Sequence, residues 1–338
     1  MDSTNEKKPH LSPPARYFPP RSGHYRVTPD LHPLGTDFGN GAADGQIFQF
    51  DTQWAHYRTQ KERARSEDLA KYYRNGLAAE DQRRLQAFLV QRLCREHPAL
   101  FQLQTTAGER HLHCALSGEQ LRFGAEFDFI DMLDSGLQPA CIDGIDALAC
   151  QVQEDLSLVQ REGDGDRLRC LHLCFPNHWA AADKFGQPFA AVHQPVAGMA
   201  ELNRRSGPLI DALIQRGPYV RFAWGLASDT RLNHHPEPPP GEDPRSWAGR
   251  DFAPEGGALY LRVERQTIHG LPDMDAALFT IRTYFTDLHR LRNTEPAKCA
   301  RLAEAIASMT PAQRAYKGLA TGATAIIDWL RGAPEASR

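Results

Sequence analysis

At 338 residues, with 41% hydrophobic and 24% charged side chains, the chain can bury a sizeable core and has the make-up of an ordinary globular protein. A formal charge of −3, with no Lys/Arg block interleaved with aromatics, excludes a polyanion-binding surface. No apolar run reaches the roughly 20 residues of a bilayer span, and the seven irregularly spaced cysteines fit a reduced, cytoplasmic protein.

Residues 1–45 read as an extended, irregular arm, polar and proline-rich and without the apolar centre of a signal peptide. A helical and hairpin extension follows over 46–140. "DTQWAHYRTQKERARSEDLAKYYRNG" and "AAEDQRRLQAFLVQRLCREHPALF" carry helical patterning, the second with Leu85, Phe88, Leu89 and Leu93 on one stripe. "LQTTAGERHLHCAL" reads as a hairpin that turns at Ala-Gly-Glu.

The organised unit spans 141–290. "QVQEDLSLVQ" and "RLRCLHLCF" are strands joined by the turn cluster "REGDGD". Pro176, Pro188, Pro195, Gly207 and Pro208 break 176–216 into short helices and loops. Three more strands follow, "YVRFAWGLAS", "GALYLRVERQTIH" and "AALFTIRTYF". The intervening "LNHHPEPPPGEDPRSWAGRD" is too rich in proline for a central strand, and His234 and His235 within it are expected at the surface. Residues 291–338 return to helices packing on this unit. The order strand–strand, short helices, strand–strand–strand is that of a PAS domain. The predicted class is α+β: a PAS-like five-stranded antiparallel sheet whose short helices enclose a ligand pocket, with N- and C-terminal helical extensions.

Alternation assigns the faces. Val220, Phe222, Trp224 and Leu226 share one side of their strand, and Arg221 faces the other; Tyr260, Arg262, Glu264 and Gln266 share a face. Charges in strands this apolar either form a solvent-facing Arg–Glu ladder or are paired within a ligand site. "FAAVHQPVAG" sets His193 among Phe189, Val192 and Val196, where it is either a satisfied core histidine or an imidazole projecting from the helical layer. There is no Gly-x-Ser-x-Gly elbow, His-Glu-x-x-His helix or P-loop, and the glycine-rich "GTDFGNGAADG" follows no strand.

Taken together, "VQEDLSLV", "LCFPNHWAAADKFGQPFAAVHQPVAG", "YVRFAW" and "LRVERQTIHGLPDMDAALFTIRTY" resemble the alpha subunit of the haem-dependent oxidative N-demethylases, or dimethylamine monooxygenases. The resemblance covers about 150–290, and "FDTQWAHYRTQKERA" more loosely. It implies haem b held in a PAS fold that acts as an enzyme. A small, dimethylamine-like secondary amine would be oxidised with O₂ to the primary amine and formaldehyde. Electrons would come from NADPH through the FMN and 2Fe-2S centres of a reductase subunit, and a further subunit would use tetrahydrofolate to capture formaldehyde. This chain carries no flavin fingerprint and no four-cysteine cluster, which leaves it the haem subunit alone.

By position, "AVHQPV" is similar to the family's His-x-Pro-Val element, which makes His193 the axial ligand of the haem iron. Location beside His193 and charge, rather than any matched family position, make Lys184, Phe189, Val192, Val196 and Trp224 the candidates around the cofactor. Arg221 and Lys184 are the candidate cations for a propionate or for the distal pocket. Arg221 and Glu264 form the candidate catalytic pair, Glu264 anchoring a protonated amine, with Glu154 and Asp155 as alternatives. Ala223-Trp224 stands where the family typically has Asn-Trp, which leaves the amine open, and the entry "HPLGTDFGNGAADGQIFQFD" is also atypical. The rival expectation is a haem-PAS gas or redox sensor without turnover.

Overall fold

Long runs of β-branched and aromatic residues build two antiparallel sheets, seen in a computed structural model that describes residues 9–199, 204 and 206–332. The strands are β1 (His32–Pro33), β2 (Tyr73–Asn75), β3 (Phe101–Thr106), β4 (Glu109–Cys114), β5 (Gln120–Phe123), β6 (Phe129–Leu133), β7 (Asp155–Glu162), β8 (Gly165–His172), β9 (Tyr219–Ala227), β10 (Tyr260–Leu271) and β11 (Ala276–Asp287). The larger sheet runs β1-β9-β10-β11-β7-β8-β2, and β3 to β6 form the smaller one in sequence order.

The five predicted strands are the middle five of the larger sheet. Numbered by their own sequence order, they lie 2-1-5-4-3 across it. The sheet is wider than predicted because β1 pairs with β9 at one edge and β2 with β8 at the other. Pieces of two and three residues carry no periodicity, so the sequence gives no sign of them. The 46–140 extension likewise holds more sheet than the expected β3–β4 hairpin, since β5 and β6 continue it as a meander.

Each face of the larger sheet has its own cover. On one, Leu261, Val263, Arg265 and Thr267 of β10 and Leu278, Thr280, Arg282 and Tyr284 of β11 are buried. Tyr17 of the N-terminal arm and the helices Leu288–Thr294, Pro296–Ala307 and Ala323–Arg331 close over its β10 end. The helices Ala79–Glu96 and Gly144–Gln151 close over β7 and β8. Arg282 is buried on this side, 2.7 Å from Asp51 and 3.7 Å over the Tyr57 ring.

On the opposite face, Val159, Leu168, Leu171, Ile268 and Ala277 pack under the short helices Ala181–Lys184, Phe189–Val192 and Ser206–Gln215. Gly270 lets the last of these lie against β10, because a Cβ there would run into the Ile214 carbonyl. All seven cysteines are free, and no helix among the described residues is long and apolar enough to cross a membrane.

Candidate functional site

Beneath the short helices the burial pattern changes in the middle of the sheet. Glu264, Gln266, Phe279 and Ile281 are only half-buried, while their neighbours one residue away on the other face are buried. Side chains at the centre of a covered sheet keep such access only where the cover stands off, so the helices leave a shallow, partly open hollow over this stretch of the face. The register sets Arg221 beside Gln266 and Ala223 beside Glu264, with Ile281 and Thr283 across from them. Ala223 and Gly225 add almost no volume to the floor, which leaves room above β9.

His193 ends the helix Phe189–Val192 in the covering layer. Its Nδ1 lies 2.9 Å from the Phe189 carbonyl oxygen, and its ring is 4.2 Å from the Phe189 ring. A carbonyl only accepts, so Nδ1 carries the proton and Nε2 keeps its lone pair. Burial pushes the imidazole pKa down to about 4, against the opposing pull of the Phe189 carbonyl, with Arg221 and Lys184 adding to the depression. The ring is therefore neutral at physiological pH, held by one nitrogen, with the other available as a ligand.

Arg221 stands on the sheet side of the same neighbourhood. Its side chain makes no hydrogen bond to the described residues, and its buried Nε has no partner. Burial lowers its pKa, and Asp30 and Glu264 supply opposing charge. Glu264 accepts from Gln266 Nε2 at 3.2 Å, and its Oε1 lies 3.9 Å from Arg262 Nη2.

Lys317, which no sequence signal singled out, enters from the end of the helix Pro311–Tyr316. Its Nζ donates to the Trp224 carbonyl and lies 5.4 Å from the Tyr25 ring centre. Burial pushes its pKa down to about 8, with Glu264 opposing and Arg250 and Arg221 assisting. Because the folded pKa is below the ordinary lysine value, the unfolded chain binds the extra proton between about pH 8 and 10.5, and stability rises with pH across that window. Urea midpoints at pH 7.5 and 9.5 should show a gain of about 1–2 kcal/mol in the parent relative to Lys317→Met. Equal pH responses in the two proteins would mean that this lysine is solvated.

The other predicted residues divide. Phe189 is buried and Val192 half-buried in the core cluster that includes Phe279. Val196 follows in the next turn, its N–H donating to the His193 carbonyl at 3.0 Å. Lys184 donates to the Val192 carbonyl at 2.9 Å and so ties down the turn that presents His193. Trp224 does not join this group. It pairs with Val263 on the opposite face, where its ring packs 5.6 Å from Tyr25, because successive strand residues point to opposite sides.

Glu154 and Asp155 are fully buried. Asp155 is engaged, taking the Cys174 and Phe175 N–H groups at 2.9 and 2.8 Å; Glu154 accepts from the Gln49 N–H at 2.9 Å and leaves Oε2 without a partner, but it lies near Arg282 and Arg265 of the opposite face. His234 and His235 are buried, contrary to the surface position expected from their prolines. Their loop folds back over the end of the sheet, where Arg262 needs acceptors: the Leu232 carbonyl at 3.1 Å and His234 Nδ1 at 3.2 Å.

Two further groups of metal-ligand type, Cys141–Asp146–Cys150 and Asp155–His172–Cys174, lie within the core. The Arg65 guanidinium donates to Asp146 and sits 3.8 Å from the Cys141 sulfur, already supplying positive charge to the first group.

The fold and site thus define a mixed α/β protein in which a neutral imidazole and several cations surround a stretch of sheet that its helical cover leaves partly open. The family model described as haem-dependent oxidative N-demethylase, alpha subunit-like, matches residues 41–327. The chain belongs to that family, and the family's description carries haem dependence with it.

Proposed function

We propose that the chain is the haem-carrying subunit of an oxidative N-demethylase, with haem b seated in the hollow and His193 as its iron ligand. The observation that carries this reading is the neutral His193 ring, anchored through Nδ1, in the same neighbourhood as Arg221, whose buried Nε has no hydrogen-bond partner among the described residues. The 2-1-5-4-3 order of the central strands, under short helices, supports a PAS-like pocket within 141–290.

The residues fit the cofactor on three counts. An imidazole nitrogen is available to iron. Phe189, Val192, Phe279 and Ile281 supply apolar walls for a porphyrin. Arg221, Lys184 and Lys317 are cations with which the two propionates could pair.

When bound, the haem supplies the O₂ chemistry by which a small, dimethylamine-like secondary amine yields a primary amine and formaldehyde. The chain's own part is placement. Glu264 holds the alkylammonium, which has too little apolar area to bind by burial alone. Arg221 would hold a propionate or supply positive charge to the O₂ chemistry. NADPH, FMN and 2Fe-2S belong to a reductase partner and tetrahydrofolate to a formaldehyde-capturing partner, and the assembly works in the cytoplasm.

The test is spectroscopic. Purified protein should show a Soret band of a histidine-ligated haem that shifts when dimethylamine is added. A haem-containing protein blind to every small amine would instead be a gas or redox sensor. The isolated chain should also oxidise NADPH no faster than buffer until a reductase is supplied, because nothing in its sequence binds a nicotinamide or flavin. Steady NADPH oxidation by the chain alone would contradict the assignment of electron supply to a partner.

A further inference from the structure

Glu264 shares its strand face with Arg262, a guanidinium only 2% exposed. Arg262 Nη1 donates to the Leu232 and Arg231 carbonyls at 3.1 and 3.3 Å and lies 3.2 Å from His234 Nδ1. Its Nη2 donates to the Phe175 carbonyl at 3.0 Å and to Thr283 Oγ1 at 3.4 Å. These acceptors hold it 3.9 Å from Glu264 Oε1, beyond direct hydrogen-bond contact.

His234 is itself held. Its Nε2 lies 3.0 Å from Asp229 Oδ1, and a carboxylate only accepts, so Nε2 bears the proton and Nδ1 the lone pair that faces Arg262. Burial, with the charges of Arg262 and Arg231, outweighs the pull of Asp229 and keeps the ring neutral, as an acceptor from Arg262 must be.

We propose that Asp229 and His234 are positioning residues for amine recognition: through Arg262 they keep the Glu264 carboxylate free in the hollow. The inference rests on Glu264 as the amine anchor. Without the His234 acceptor the buried guanidinium loses a partner and is free to shift. The carboxylate nearest to it is Glu264 at 3.9 Å, and Asp155 and Asp229, whose charges also reach Arg262, are held by other donors. A carboxylate captured by Arg262 is neutralised, and an ammonium that depends on it binds less tightly.

The experiment titrates dimethylamine into the haem-loaded full chain and reads the Soret shift. His234→Leu should raise the dissociation constant about tenfold, the scale of one hydrogen bond to a charged group, with haem content unchanged. His234→Asn, whose Oδ1 can take the place of Nδ1, should stay within about twofold of the parent. Asp229→Ala, at the more exposed end of the chain of contacts, should give an intermediate rise and tests the same point if His234→Leu does not fold. A crystal structure of the Leu or Ala variant should show Arg262 moved onto Glu264. Equal weakening by Leu and Asn would overturn the proposal in favour of a packing role, as would normal affinity in His234→Leu and Asp229→Ala while Glu264→Gln binds weakly. Normal affinity in Glu264→Gln would instead remove the anchor, and with it the reading on which the positioning rests.

Discussion

His193→Ala should leave a folded protein that has lost most of its haem. The ring ends a four-residue helix and is only half-buried, so its removal takes little from the core. What it takes from the hollow is a neutral imidazole, anchored through Nδ1 to Phe189 and making no hydrogen bond at Nε2 to the described residues. Free imidazole added to the variant should restore part of the Soret band, since it supplies the lost nitrogen without the backbone link. His172 cannot stand in. It is wholly buried, with Nε2 3.1 Å from Asp146 and Nδ1 3.8 Å from the Cys174 sulfur. His178 is the informative control, because its ring stacks on His234 and makes no hydrogen bond to the described residues. His178→Ala should keep its haem. Full haem occupancy in His193→Ala, or its loss in His178→Ala alone, would move the ligand to the other histidine.

The largest loss of stability is expected from Asp146→Ala, far from the hollow. Arg65 and Asp146 side chains are both fully buried and paired, and Asp146 also faces His172 and accepts the Ile142 N–H at 3.1 Å. Burial pushes the Asp146 carboxyl up, but His172 and Arg65 outweigh it and hold the pKa below the ordinary aspartate value. A depressed carboxylate contributes stability above its unfolded pKa and loses it as pH falls through the folded one, so at neutral pH the contribution is complete. Alanine leaves the Arg65 guanidinium buried with the Pro139 carbonyl as its remaining oxygen acceptor. Stranding a buried charge in this way costs about 3–5 kcal/mol. Urea unfolding should report a loss of that order, and replacing Arg65 with Met in the same variant should recover part of it. A loss below about 1 kcal/mol would mean that water reaches Arg65.

Local physics made much of this protein readable from its residues. Alternation with period two marked the five long strands, and the prolines and glycines of 176–216 broke the cover into short helices, because both effects act over a few residues. The same alternation already separated Trp224 from Arg221; grouping Trp224 with the cofactor residues went against that pattern, and the fold follows the pattern, while the register of β9 on β10 is what puts Arg221 and Glu264 on one face. Tertiary structure decided what depends on segments meeting at a distance. β1 and β2 exist only because longer strands offer them an edge. Lys317 reaches Trp224 across 93 residues, Arg65 reaches Asp146 across 81, and the loop carrying His234 turns inward because Arg262, 28 residues away, is buried and short of acceptors. A buried charge must find its partner somewhere, but its own neighbours in sequence do not say where, since the partner is chosen by the path of the whole chain.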